Sequence, residues 1–340
     1  MNVLLTGGIG YLGSHTALSL LEQGHEVTIL DNLSNSNLTV LQCIESISSK
    51  QLNFVRGDVL ENALVKNTIN QFKIDAVIHL AGLKAVGESV LNPLKYYENN
   101  VQGAISLLDA MLSCNIRSLV FSSSATVYGA PQYLPINEEH PTNPYNPYGN
   151  SKFFIEQILI DIARSNKDWT IVNLRYFNPV GSHASGLIGD NPNGIPSNLM
   201  PYINQVAANQ RPFLNVFGGD YETLDGTGIR DYIHVEDLSE AHLAALSWID
   251  DPDKNRDINM NTFNIGTGVG YSVLDIIQAY EQINGLKIPY KITARREGDV
   301  AACYSDPTKA NTVLGWKALR TLEDMCKSAW NFQKLRAIDI

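Results

Sequence analysis

Thr6-Gly7-Gly8-Ile9-Gly10-Tyr11-Leu12-Gly13 decides the fold. The spacing Gly8-x-Gly10-x-x-Gly13 follows an apolar run, residues 3–6, and opens a segment of helical periodicity over 11–22. Strand, glycine turn and helix in that order make the dinucleotide fingerprint. Glycines permit the tight turn and let backbone N–H groups approach a pyrophosphate at a helix N-terminus. A Walker loop is excluded because no Gly-Lys-Ser/Thr follows; a glycine turn with no ligand is the competing reading. Asp31 closes the next strand, where a carboxylate accepts from an adenosine ribose 2′-hydroxyl. Asn32 and Leu33 follow, with no arginine to neutralise a 2′-phosphate, so the expected cofactor is NAD rather than NADP.

Further apolar runs at 26–30, 52–56, 76–80, 118–122 and 170–174 alternate with helical segments such as 104–114. Near-continuous apolar strands between helices predict a parallel sheet covered on both faces. After about Phe177 the texture changes: Asn178-Pro179, Asn191-Pro192-Asn193-Gly194 and residues 218–228 are loop-rich. The expected fold is α/β, a Rossmann-type doubly wound parallel sheet with a smaller, mixed C-terminal substrate domain. Residues 1–176 are expected to bind the nucleotide and 177–340 mainly the other substrate, with 230–265 returning to the first unit. Asp58-Val59 and Leu80-Ala81-Gly82-Leu83-Lys84 follow the third and fourth strands, at carboxyl ends where such sheets bind ligands. Asp58 would serve equally well as a helix cap.

Composition narrows the function. The chain has 340 residues and a formal charge of -10, which argues against a nucleic-acid surface. Cys43, Cys114, Cys303 and Cys326 lie far apart, and neither they nor the seven histidines have metal spacing. They read as reduced thiols of a cytoplasmic protein. The glycine loop follows Met1 too closely for a cleavable signal, and no apolar stretch approaches the ~20 residues of a membrane helix.

Tyr148-Gly149-Asn150-Ser151-Lys152 places a phenol and an ammonium one helical turn apart. Alone, Y-x-x-x-K usually marks a surface helix; joined to a nucleotide loop it becomes a candidate acid/base. An ammonium beside a phenol favours the phenolate, so the Tyr148 pKa is expected to fall from about 10 towards working pH. Ser122-Ser123-Ser124-Ala125-Thr126, at the end of the fifth strand, would face the same crevice with a hydroxyl.

With Arg175-Tyr176-Phe177-Asn178-Pro179-Val180-Gly181 and Arg230-Asp231-Tyr232-Ile233-His234-Val235, these motifs give an end-to-end resemblance. The chain resembles the UDP-glucose (UDP-galactose) 4-epimerases of the extended short-chain dehydrogenase/reductase family. The resemblance implies Tyr148 as the base for the sugar 4-hydroxyl, Lys152 on the nicotinamide ribose and Ser124 sharing the hydroxyl's hydrogen bond. It implies NAD contacts at Gly7, Gly10, Tyr11, Leu12, Gly13, Asp31, Asn32, Leu33, Ser34, Asn35, Ser36, Asp58 and Val59. Further NAD contacts are implied at Leu80, Ala81, Gly82, Lys84, Asn99, Ser124, Tyr148, Lys152 and Phe177. For the UDP-sugar it implies Lys84, Ser124, Tyr148, Asn178, Asn198, Asn215, Val216 and Phe217, with Arg230 and Arg296 on the pyrophosphate and Asp299 beside them. The implied chemistry is a closed hydride cycle through a 4-keto sugar, with NAD retained. A homodimer packed through helices is implied as well.

Relatives of the same fold run other reactions. The 4,6-dehydratases carry Thr-Asp-Glu where this chain has Ser124-Ala125-Thr126, and alanine and threonine cannot supply their acid and base. A dehydrogenase releasing its reduced cofactor, and a non-catalytic NAD sensor, are the remaining alternatives. The family resemblance also marks a departure at Cys303. Epimerases restricted to glucose and galactose have tyrosine there, and a small residue accompanies activity on UDP-N-acetylhexosamines. The expectation is dual specificity; the alternatives are an ordinary buried cysteine, or Tyr304 swinging into the gap. Asn264-Ile265-Gly266-Thr267-Gly268 lacks the strand–loop–helix unit of a second nucleotide loop and reads as a structural turn.

Overall fold

The computed structural model describes the chain except residues 193, 195, 252–258, 297 and 339–340. Asn193, from the loop-rich stretch above, therefore lies outside the described residues. Seven strands form one parallel sheet: β1 (Asn2–Thr6), β2 (Glu26–Asp31), β3 (Asn53–Arg56), β4 (Ala76–His79), β5 (Ser118–Ser124), β6 (Thr170–Tyr176) and β10 (Met260–Ile265). Their order is β10-β6-β5-β4-β1-β2-β3, so the winding reverses between β1 and β4. A crevice at the carboxyl ends of the strands belongs at that reversal.

Both faces of the sheet are covered. Val3 and Leu5 of β1 pack with Leu20 of α1 (Tyr11–Glu22), Ile44 of α2 (Thr39–Ser48) and Leu238 of α9 (Val235–Asp250). Leu4, between them, faces the other layer, with Val65 of α3 (Asn62–Gln71), Leu107 of α6 (Gly103–Ser113) and Ile155 of α7 (Pro147–Ser165). Successive side chains point to opposite faces, so a strand buried twice must be apolar at every position. Short helices α4 (Val86–Leu91) and α5 (Pro93–Tyr96) lead into α6 through a π-helical turn.

The remaining strands are short. β7 (Asn178–Val180), β11 (Gly270–Ser272) and β13 (Ala302–Cys303) surround β9 (Ile229–His234), while β8 (Leu214–Phe217) pairs with β12 (Tyr290–Thr293). Helices α8 (Leu199–Ala207), α10 (Val273–Asn284) and α11 (Leu322–Ile338) enclose a separate core around Ile203, Ile276, Tyr280 and Met325. Ser272 and Asp275 form a capping box that starts α10.

β5 and β6 each run two residues past the apolar segments. Ser123 and Ser124 stay in register with Arg175 and Tyr176, so Ser124 sits on a strand rather than in a loop. The ladder extends because these polar side chains have partners inside the protein, such as the Ser123 hydroxyl donating to Glu156.

Candidate active site

The glycine loop is held by backbone packing. A Cβ on Gly13 would lie 2.2 Å from the Gly7 carbonyl oxygen, so the first turn of α1 rests directly on the loop. Gly7 has φ +71°, and a Cβ there would meet the Ala81 nitrogen at 2.8 Å. The turn after β1 and the segment after β4 thus touch main chain to main chain, which only glycine allows. Asp31 is buried at the end of β2; its carboxylate accepts from Ile9 N (3.3 Å), Leu33 N (2.9 Å) and the Ser36 hydroxyl (2.8 Å). It joins the glycine loop to the turn carrying Asn32 through Ser36. Asn35 is exposed there, and Ser34 N donates to the Asn32 side chain.

The Asn32 amide donates to Asp58 at 2.7 Å, and Asp58 also accepts from Leu60 N. Asp58 therefore closes a turn ahead of α3, next to buried Val59, rather than capping the helix itself. Lys84 Nζ lies 5.7 Å from the centre of the Tyr11 ring, and the Tyr11 hydroxyl donates to Gly181 O. Leu80, Ala81 and Gly82 follow β4 along this rim, and a Cβ on Gly82 would lie 3.7 Å from Lys152 Nζ. Asn99, half-buried, sits in the π-helical turn. Its neighbour Asn100, which sequence reasoning did not single out, is the buried member: its side chain bonds Leu83 N, Leu83 O and the Ser151 hydroxyl. The adjacent Asn99-Asn100 pair was the available signal, but only packing separates their roles.

Tyr148 and Lys152 stand on α7, whose start is set by Pro147 and by Asn146 accepting from Gly149 N. Ser124 on β5 lies beside the Tyr148 phenol and acts to lower its pKa. The Ser124 oxygen accepts from both the nitrogen and the hydroxyl of Thr126, at 3.3 and 2.9 Å. With its lone pairs so engaged, the Ser124 proton is turned outwards as a donor.

The expected fall in the Tyr148 pKa is not met. Burial raises the phenol above its ordinary value, and the Ser124 hydroxyl only opposes that rise. The reason is where the ammonium points: Lys152 Nζ donates to Ser122 O at 2.7 Å and lies 5.0 Å from the Phe121 ring centre. Burial also lowers Lys152 to about 8, against the upward pull of Glu156 one turn further on. Glu156 is itself clasped by Arg175, at 3.0 and 2.6 Å, and Arg175 also donates to Tyr128. This buried pair braces α7 against β6; Arg175 lies in a motif the sequence marked, whereas Glu156 was not singled out.

Across the crevice Arg296 makes a two-pronged pair with Asp299, 3.1 Å on each side. Arg230 approaches the same carboxylate at 3.5 Å and donates to Val300 O at 2.9 Å. Arg296 also lies over the Phe217 ring, which is exposed at the end of β8 beside half-buried Asn215 and buried Val216. Phe177 is buried, Asn178 is exposed, and exposed Asn198 precedes α8 without capping it. Cys303 packs against Ala125, Val127, Tyr128, Ile136 and Phe177, and burial pushes its thiol up to about 11. Tyr304 faces the other way, against Gly270, where a Cβ would meet its ring at 3.1 Å.

Asp231, in the motif that follows Arg230, has a structural task. Its carboxylate accepts from the nitrogens of Thr267, Gly268 and Ser305 and from two hydroxyls. The stretch read as a turn is one only in its second half: Asn264 and Ile265 end β10, in register with Arg175 and Tyr176, and residues 266–268 wrap on the buried Asp231 carboxylate. Among the described residues no His, Cys, Asp or Glu group could hold a metal ion, and no helix is long and apolar enough to cross a membrane.

A serine, a tyrosine and a lysine thus converge beside a glycine loop, with an arginine pair facing them. A family model described as GDP-mannose 4,6 dehydratase matches residues 4–329. The UDP-glucose 4-epimerase of Pasteurella multocida is 53% identical over 336 residues, spanning 98% of this chain and 98% of that protein. The chain belongs to the UDP-glucose 4-epimerase family. Among solved structures, the UDP-glucose 4-epimerase of Stenotrophomonas maltophila, with bound NAD and formylated UDP-arabinopyranose, superposes with a TM-score of 0.97 at 47% identity, over 100% of both chains. The Bifidobacterium longum UDP-glucose 4-epimerase, in complex with NAD+ and UDP, gives 0.94 at 50% identity over 98% of each. Within this family the dehydratase description fits less well locally, since Ala125 is a buried apolar residue and the Thr126 hydroxyl is committed to Ser124.

Proposed function

We propose that this chain interconverts UDP-hexoses at carbon 4, UDP-glucose with UDP-galactose first, and keeps NAD bound throughout. The observation that carries the reading is the placing of Ser124 beside the Tyr148 phenol, with Lys152 one turn on and its ammonium near Gly82. The loop fits a dinucleotide: backbone packed on backbone at Gly7 and Gly13 holds the turn tight at the start of α1, and Asp31 brings a carboxylate at the end of β2, with Asn32 and Leu33 rather than an arginine following it in the chain. In this reading Gly7 to Gly13, Asp31 to Ser36, Asp58, Val59, Leu80 to Lys84, Asn99 and Phe177 hold the cofactor. Bound NAD+ would supply the hydride acceptor that no side chain provides, and its positive charge would add to that of Lys152 in favouring the Tyr148 phenolate that burial alone disfavours.

The chain's own residues do the rest. Ser124 donates to the sugar oxygen at carbon 4 while the Tyr148 oxygen removes its proton. Lys152 binds the nicotinamide ribose and keeps a positive charge under the site. Arg230 and Arg296, aligned by Asp299, grip the pyrophosphate through forks that match phosphate oxygens. Asn178, Asn198, Asn215, Val216 and Phe217 hold the remainder of the nucleotide end, with Lys84 on the opposite wall. Anchoring that end retains the 4-keto sugar while it turns over, after which Tyr148 returns the proton.

We further propose that N-acetylated UDP-hexoses are accepted. Cys303 is small and neutral where a phenol would narrow the pocket, and Tyr304 is packed away on Gly270. We assign residues 1–176, with 230–265, to nucleotide binding and 177–340 mainly to the sugar, and place the protein in the cytoplasm. A homodimer packed through helices accords with the exposed Leu91 of α4, Leu94 of α5 and Phe154 of α7, and the mass in solution is its check.

Incubating the protein with UDP-galactose and UDP-N-acetylgalactosamine, without added NAD, tests both parts. Conversion of both is expected. Cys303→Tyr should then abolish turnover of the N-acetylated sugar and spare the other; equal rates on both would sink the wide-pocket assignment.

A further inference from the structure

Three consecutive residues of β5 meet three residues on one face of α7. Tyr148, Lys152 and Glu156 follow one another at one-turn intervals on that helix. Ser124 lies beside the Tyr148 phenol, the Ser122 carbonyl accepts from Lys152 Nζ at 2.7 Å, and the Ser123 hydroxyl donates to the Glu156 carboxylate. The first two contacts involve groups assigned to the reaction; the third does not. Glu156 is 2% exposed, and Arg175 of β6 grips it with two nitrogens, at 3.0 and 2.6 Å. Arg175 also donates to the Tyr128 hydroxyl at 2.9 Å, which donates in turn to Asn264 of β10 at 2.7 Å. One carboxylate thus ties α7 to β5 and β6 together. Apolar side chains could brace the same elements without the cost of burying an ion pair, but they would let the helix slide along the sheet. A hydrogen-bonded carboxylate admits one register.

We propose that Glu156 is a positioning residue: by holding Ser123 and Arg175 at once it sets the register of α7 against β5, and with it the placing of Tyr148 against Ser124. The inference rests on the assignment of Ser124 and Tyr148 to the sugar 4-hydroxyl. Ser123 and Ser124 are adjacent on the strand, so a slip at the first is felt at the second. The charge of Glu156 adds to this, since the carboxylate pulls Lys152 upward against burial and helps to keep the ammonium charged. His79 of β4 also feels Lys152 but stays neutral through burial.

The test compares Ser123→Ala and Glu156→Gln with the wild type, using steady-state kinetics on UDP-galactose and calorimetric binding of UDP. Ser123→Ala removes the tie to β5 and leaves the ion pair in place. It should lower kcat about 5-fold, the worth of one net hydrogen bond, with KM and UDP affinity within about 2-fold. Glu156→Gln keeps the shape and removes the charge. It should lower kcat further and bring the alkaline limb of kcat to lower pH, because Lys152 then gives up its proton more readily. If that variant misfolds, with Arg175 left buried beside no counter-charge, Ser123→Ala still decides. Unchanged kcat in Ser123→Ala would overturn the positioning role, as would a rise in KM alone. An ultraviolet titration of Tyr148, taken as the difference from the matching Tyr148→Phe protein, needs no turnover. It should move to higher pH in Ser123→Ala, because the Ser124 hydroxyl that lowers the phenol is displaced. If the wild type binds UDP but converts no UDP-hexose, the reaction assigned above fails, and this titration decides the positioning role: an unmoved curve overturns it.

Discussion

The two sides of the crevice are built from different materials. On the cofactor side, glycine backbone lies against backbone, and His15, His79 and His242 are buried among helices and strands with His234 at the border. On the side proposed for the sugar, the candidate residues sit on loops and short strands and are held by partly exposed pairs such as Arg296–Asp299. Close packing holds one geometry and resists change, whereas solvated pairs can exchange partners at little cost. A cofactor kept through every turnover suits the first wall, and a sugar that must rotate suits the second.

Acid should produce the largest contrast. Burial lowers His79 and His234 to about 3, and His15 and His242 to about 4. The folded protein keeps these rings neutral, while the unfolded chain takes up protons below about pH 6.5, so stability is lost as pH falls through that window. Each ring costs about 1.4 kcal/mol per pH unit there, and the four together cost on the order of 5 kcal/mol by pH 5.5. Urea midpoints at pH 7.5, 6.5 and 5.5 measure this; a flat series would mean that the cofactor side yields as readily as the sugar side.

Gly13→Ala tests the same wall without titration. Its Cβ, 2.2 Å from a backbone oxygen, should cost about 3 kcal/mol and displace NAD together with the loop. A variant with normal stability and full cofactor content by absorbance would show the loop to be softer than its packing implies. The smallest effect is expected across the crevice. Arg296→Gln removes a half-exposed charge and should raise KM for UDP-galactose about 5-fold while leaving thermal stability alone. Its KM should also lose salt dependence relative to the wild type, because a screened charge has gone. A drop in stability instead would make Arg296 part of the scaffold.

Legibility follows the same divide. The glycine loop, Asp31, Ser124, Tyr148 and Lys152 could be read because local rules govern them: a tight turn, a strand end, two residues one helical turn apart. The direction of the Tyr148 pKa could not, because it depends on where a flexible ammonium goes, and Lys152 goes to Ser122 O. Asn100 was hidden beside Asn99, and Glu156 had no partner until Ser123 and Arg175 arrived from separate strands.

By itself the sequence determined the doubly wound parallel sheet, the position of the glycine loop and the placing of Tyr148 and Lys152 one turn apart on a helix. Apolar periodicity and glycine spacing act over a few residues and need no distant partner. Only tertiary structure decided which charges meet and how far Ser123 and Ser124 stay in the ladder. Those outcomes turn on contacts between separate elements of the chain, such as Ser123 with Glu156 and Arg230 with Asp299, whose burial and hydrogen bonding no local pattern encodes.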